Sequence, residues 1–288
     1  MTRINRKQAL KRLVAGTAAM TGLSSLTGNL HAKPLQGNIN HSVCQWCYSS
    51  MPLEDLVLAA KDIGITSIDL LKADQWKVAI KHGLTCAMGY ASDLPLTKGF
   101  NDISLHARLL NDYQIAIPKA ADAGLKNLIC FSGNAHGLTP QQGINNCARG
   151  LAPVLEIAEK YKITICMELL NSKVDHGDYQ CDKTPWGVAL CDRTGSDYFK
   201  LLYDIYHMQI MEGDVIATIT KYSKYIAHYH TAGVPGRHEL DENQELFYPA
   251  IMRAIVKSGF TGFVAQEFIP TKENKIASLR EAINLCDV

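Results

Sequence analysis

Four stretches in the C-terminal half decide how this chain is read: ITICMELL (Ile163–Leu170), FKLLYDIYH (Phe199–His207), YIAHYHTAGVPGRHE (Tyr225–Glu239) and FVAQEFIP (Phe263–Pro270). Each opens as an apolar run of strand length and ends on a side chain that can bind a cation: Glu168, Asp204, His230 and Glu267. Short buried strands that all deliver polar groups from the same end belong to a parallel sheet.

Working outward, the same alternation extends back to residue 41. Strands are predicted at Ser42–Tyr48, Ile65–Leu71, Leu84–Tyr90, Asn127–Ser132, Ile163–Glu168, Lys200–Asp204, Tyr225–Thr231 and Gly262–Phe268. Helical patterns separate them. The first is opened by Pro52, carries Leu53, Leu56, Val57 and Ala60 at helical spacing, and is stopped by Gly64. Others follow around Asp74–His82, up to Gly124, from Pro140 to about Lys162 and from Pro185, and a last one spans Asn274–Cys286. Repeated strand–helix units with no linker predict a single α/β domain, a (β/α)8 TIM barrel. The alternative, an open doubly wound sheet, usually carries a Gly-rich phosphate loop after its first strand. Ser49-Ser50-Met51-Pro52 stands in that place.

The barrel is expected over residues 33–288, with residues 1–32 read as a signal peptide. Arg3, Arg6, Lys7, Lys11 and Arg12 make a basic head, Leu13 to Leu26 an apolar, small-residue run, and Ala32 a cleavage position. Asn5-Arg6-Lys7-Gln8 resembles a twin-arginine export motif with Lys7 in place of the second arginine. The expected location is therefore outside the cytoplasm, in the periplasm; an amphipathic N-terminal helix is the plainer reading. Net charge is +1 with no block of like charge, which argues against nucleic acid as a partner. No other run reaches the roughly 20 apolar residues of a membrane span. Of nine cysteines, Cys44 and Cys47 have zinc-like spacing but no returning pair. Cys44, Cys86, Cys130 and Cys166 lie in apolar runs and are expected as buried thiols, while a Cys181–Cys191 pair is left open.

In such a barrel the active site lies at the C-terminal strand ends. Glu168, Asp204, His230 and Glu267 fall there together, as a candidate site for one divalent ion. Oxygen-rich ligation with one imidazole suits Mn²⁺ or Mg²⁺, and less specifically Co²⁺ or Zn²⁺. Any one of these acids could instead cap the following helix. Asp204-x-x-His207 turns from strand into loop, so Asp204 can reach the ion while His207 reaches a substrate oxygen. Arg237, after the Gly/Pro-rich turn Gly233-Val234-Pro235-Gly236, could hold a carboxylate or hydroxyl pair. Trp46 and Tyr90 are candidates to stack on a sugar face or to pack in the core. Asn171, His136 and His176 are candidates over the site.

The segment His228–Glu239, followed by Glu242–Tyr248 and then Gln266-Glu267-Phe268-Ile269-Pro270, resembles the hydroxypyruvate isomerase family. That family sits within the wider xylose-isomerase-like barrels, which include ketose 3-epimerases. The resemblance runs from about Lys162 to Pro270. It departs in lacking an asparagine-led first strand, and His230 stands where isomerases usually carry glutamine, as in the epimerases. The resemblance implies a metal-dependent isomerase acting on a small sugar-like or hydroxy-keto acid substrate through an enediolate. It also implies Glu168 and Glu267 as the proton-transferring pair, with Asp204 and His230 mainly as ligands. Alternatives are an exported ketose 3-epimerase, a 3-keto-glycoside lyase, and a non-enzymatic sugar-binding barrel. A DNA-repair endonuclease of the endonuclease IV kind shares the barrel, but it needs extra histidines near Leu71 and Tyr90, where none occurs.

Overall fold

A computed structural model describes residues 34–288. The leader expected over residues 1–32 lies outside the described residues. Eight parallel strands form the sheet: β1 Asn40–Cys44, β2 Ser67–Asp69, β3 Gly89–Tyr90, β4 Asn127–Cys130, β5 Thr164–Glu168, β6 Phe199–Asp204, β7 Ile226–Thr231 and β8 Phe263–Gln266. Their order is β2-β1-β8-β7-β6-β5-β4-β3. Parallel bridges Ser67↔Thr85 and Leu71↔Gly89 join the two ends, so the sheet closes on itself as the predicted TIM barrel.

Closure is made by irregular backbone, which shortens two predicted strands. Leu70 adopts φ 59°, a left-handed conformation that ends β2 before Leu71. Across from it, the Ser67 hydroxyl accepts the Ala87 N–H at 2.8 Å, replacing a ladder bond and delaying β3 to Gly89. Backbone bonds Ile68 N–H to Thr85 O (3.0 Å) and Leu70 N–H to Met88 O (2.7 Å) still tie the two segments. The first strand is corrected in the same way: it ends at Cys44, and Gln45–Tyr48 form one 3₁₀ turn. Cys47 is therefore on a turn rather than on a strand.

The helices follow their sequence signals. Leu53–Ile63 turns Leu56, Val57, Ala60 and Ile63 inward, and Gly64 ends it at φ 101°. Pro140–Tyr161 begins with a reciprocal cap: the Thr139 hydroxyl accepts the Gln142 N–H, and the Gln142 side chain accepts the Thr139 N–H. Tyr248–Lys257 and Lys275–Cys286 cover the last strands. None of the described helices is long and apolar enough to cross a membrane. All nine cysteines are free and buried, Cys181 and Cys191 included.

Candidate metal centre

Strand side chains alternate, so residues two apart share a face. On β7, His228 and His230 point the same way; on β6, Leu202 and Asp204; on β5, Cys166 and Glu168. One irregularity brings these faces into line. Leu201 pairs with Ile226 but Leu202 pairs with His228, so β7 carries an extra residue at Ala227. Without that bulge Asp204 would sit opposite Tyr229; with it, Asp204 is opposite His230. Glu267 follows directly on β8, its N–H donating to Thr231 O at 2.8 Å.

The four predicted ligands do converge. One donor atom from each of Glu168, Asp204, His230 and Glu267 lies within 4.8 Å of the others, and all four residues are buried. His230 Nδ1 is 2.9 Å from Glu267 Oε2 and 3.3 Å from Glu168 Oε1. Arg237, predicted as a contact at the mouth, instead reaches the ligands themselves. Its Nη2 donates to Glu267 Oε2 at 2.5 Å and to Asp204 Oδ2 at 3.4 Å. The guanidinium lies between the rings of Trp46 (5.2 Å) and Tyr206 (5.4 Å). Trp46 Nε1–H also donates to Glu267 Oε1 at 2.7 Å, so this residue belongs to the site and is not merely core packing.

The two glutamates thus sit in unlike surroundings. Burial would push Glu267 upward, but Arg237 foremost, then His230 and Trp46, hold its carboxyl well below the usual range. Burial raises Glu168, opposed by His230 and reinforced by repulsion from Glu267; its Oε1, 3.3 Å from His230 Nδ1, makes no well-aligned hydrogen bond. Burial likewise lifts Asp204 from 3.8 to about 8, partly opposed by Arg237. Three carboxylates and an imidazole around one point, with a buried carboxylate oxygen left orphaned, form a donor set that a divalent cation fits. Two smaller groups, Cys44 with His230 and Glu267, and Asp69 with His228 and His230, share the same imidazole. Neither gathers as many carboxylates.

Asp204 has a second task. It is the N-cap of the helix Ile205–Met211, its Oδ1 accepting the His207 N–H at 3.2 Å. His207 is accordingly a helix-start residue, yet fully buried rather than facing solvent. Asn171 Nδ2–H donates to His207 Nδ1 at 2.6 Å, which leaves the proton on Nε2. That Nε2 lies 3.6 Å from Asp204 Oδ2 and has no hydrogen-bond partner. Burial, then Arg237, keeps the ring's pKa well below its ordinary value. A neutral donor aimed beside the carboxylates suits a substrate oxygen. Asn171 also donates to Asp175, which accepts the Tyr206 hydroxyl at 2.9 Å, and His176 packs 5.1 Å from the His207 ring. Tyr90 is half-buried, and desolvation together with Glu168 and Glu267 raises its hydroxyl pKa. His136 is exposed and lies 3.9 Å from Asp178, with no contact to the cluster.

Asp69, Ser42 and His228 were not predicted. They form the floor beneath His230: Ser42 Oγ donates to Asp69 Oδ1 and His228 Nε2 to Asp69 Oδ2, each at 2.5 Å. A signal existed in the sequence, since Asp69 is the one acid in the apolar run Ile65–Leu71.

A family model described as xylose isomerase-like TIM barrel matches residues 57–286. The 2-oxo-tetronate isomerase of Cupriavidus necator is 33% identical over 120 residues, 42% of this chain and 45% of that protein. The hydroxypyruvate isomerase of Escherichia coli is 30% identical over 156 residues, 54% of this chain and 60% of that one. Both matches thus span less than two thirds of the relative's own length. Among solved structures, an AP endonuclease, family 2, from Brucella melitensis superposes with TM-score 0.76 at 23% identity, covering 84% of this chain and 97% of that one. At that identity the likeness shows the fold alone.

Proposed function

Because this chain belongs to the xylose isomerase-like TIM-barrel family, we propose that it is a metal-dependent isomerase of a small hydroxy-carbonyl substrate, hydroxypyruvate isomerase-like in its chemistry. The observation that carries the reading is the unlike dressing of two glutamates that flank one cation-binding point. Glu168 has an unpartnered, buried oxygen and a raised pKa, the properties of a group that takes and returns a proton. Its carboxylate would remove the proton on the carbon beside the carbonyl. The C–H electron pair then forms the enediolate double bond, and the carbonyl oxygen takes the negative charge. Glu168, protonated by that step, would return the proton to the neighbouring carbon. Glu267, kept ionised by Arg237 and Trp46, would face it across the site as the second member of the catalytic pair, able to take a proton from the opposite side. His207 Nε2–H and Arg237 would donate to substrate oxygens. Glu168, Asp204, His230 and Glu267 would hold one divalent ion, Mn²⁺ or Mg²⁺ first and Co²⁺ or Zn²⁺ second, which supplies Lewis-acid stabilisation of developing oxyanion charge.

The names of the two relatives support a sugar-like or hydroxy-keto acid substrate. The basic-then-apolar leader read in residues 1–32 supports a substrate met after export. His230, an imidazole where the isomerases usually carry glutamine, favours a second reading as a ketose 3-epimerase. Both readings share the proton transfer and differ in which carbon receives the proton. The test is incubation in D₂O with Mn²⁺ and, separately, hydroxypyruvate, several ketoses and a 3-keto-glycoside. Deuterium is expected at carbon, and it should be lost with a chelator and in Glu168→Gln. A moved carbonyl marks isomerisation, an inverted centre epimerisation, and a released aglycone a lyase. Absence of exchange from every substrate at full metal occupancy would refute the proton-transfer reading.

A further inference from the structure

His230 has two ring nitrogens in two different surroundings. Nδ1 faces Glu267 and Glu168, the point where the carboxylates converge. Nε2 faces down the barrel, 3.4 Å from Asp69 Oδ2 and 3.7 Å from Cys44 Sγ. An imidazole can offer a lone pair to a cation through Nδ1 only if its proton is on Nε2, and that proton then needs an acceptor. Two candidates are within reach, and they have opposite consequences. A carboxylate accepts a hydrogen bond from Nε2–H, which keeps the proton there and leaves the Nδ1 lone pair free. A thiol donates to Nε2, which would leave the proton on Nδ1 and close that nitrogen to a cation.

We propose that Asp69 is the positioning residue of the metal centre: it accepts a hydrogen bond from His230 Nε2–H and so fixes the tautomer in which Nδ1 is the ligand. The reading of the cluster as a metal site is its premise. Asp69 is itself held against rotation. Ser42 from β1 donates to Oδ1 and His228 from β7 donates to Oδ2, and all three residues are fully buried. The carboxylate cannot swing away to solvent, so its second oxygen stays aimed at the two β7 imidazoles. Those rings stand edge-on to one another, 5.2 Å apart at 83°; His228 Nε2 hydrogen-bonds Asp69 Oδ2, and His230 Nε2 lies 3.4 Å from the same oxygen. Asp69 would touch neither substrate nor metal and would act only through His230.

The test is a titration of Mn²⁺, followed by electron paramagnetic resonance of the free ion, on wild type, Asp69→Ala, Asp69→Asn and Cys44→Ala. Circular dichroism and thermal melts establish that each variant is folded. Partners of this kind typically contribute about 10- to 100-fold in metal affinity, and Asp69→Ala is expected to weaken Mn²⁺ by that much. Asp69→Asn keeps one neutral acceptor and should lose less, roughly threefold or more on the same basis. Cys44→Ala should bind as wild type does. In the Mg²⁺-loaded wild type, nitrogen-15 spectra of the histidines should show His230 protonated at Nε2 and not at Nδ1. Wild-type Mn²⁺ affinity in either folded Asp69 variant overturns the assignment while leaving the metal site intact. So does a loss in Cys44→Ala as large as in Asp69→Ala. A wild type that binds no Mn²⁺ overturns the metal site and this assignment together.

Discussion

Arg237 shares its guanidinium between Glu267 and Asp204 and packs against the rings of Trp46 and Tyr206. A cation bound at the same carboxylates would relieve the charge that Arg237 now balances. Removing one partner of a buried ion pair costs about 3–5 kcal/mol, because the other is left uncompensated. Arg237→Ala is therefore expected to lower the thermal midpoint of the metal-free protein strongly. With saturating Mn²⁺ the gap to wild type should narrow, and melts with and without the ion check this. An equal gap in both conditions would mean that Arg237 and the ion do not compensate the same charge. At this scale the sequence was informative about identity and poor about partners. Glu168, Asp204, His230 and Glu267 were legible because each terminates an apolar run. The pairing of Arg237 and of Trp46 with Glu267 was not legible, because partners 30 and 221 residues apart leave no periodic trace.

Among the elements, the helix ends that the sequence marked with Pro, Gly or a capping residue were read closely, because those ends carry local chemistry. Thr139 and Gln142 cap each other's backbone within one turn, and this needs nothing from the rest of the fold. Thr139→Ala should cost about 0.5–2 kcal/mol of stability, with Mn²⁺ affinity unchanged. Urea denaturation and a metal titration on the same variant check both halves. Strands were read less well. β2 stops at Leu70 because its backbone turns left-handed, and β3 shrinks because a Ser67 hydroxyl answers the Ala87 N–H. Hydropathy alternation is insensitive to either event. Nor does it register the bulge at Ala227, although that single extra residue puts His230 rather than Tyr229 opposite Asp204.

For the molecule as a whole, nine cysteines were compatible with pairing, and the barrel keeps every one apart and buried. A thiol reagent should find no reactive group in the native protein and nine in denaturant without reductant; fewer than nine would mean that disulfides form. Composition could not have settled this, since pairing depends on distances across the barrel. By itself the amino-acid sequence determined the strand–helix alternation, the closed parallel architecture it requires, and the end of the barrel on which the polar groups collect. Those follow from periodicity and capping, which act over a few residues. Only the tertiary structure decided which polar groups face one another: Asp69 beneath His230, Trp46 and Arg237 on Glu267, and Glu168 facing His230 alone, without a well-aligned hydrogen bond on Oε1. These depend on sheet register and on loops returning over the strand ends, long-range geometry that short-range pattern does not encode.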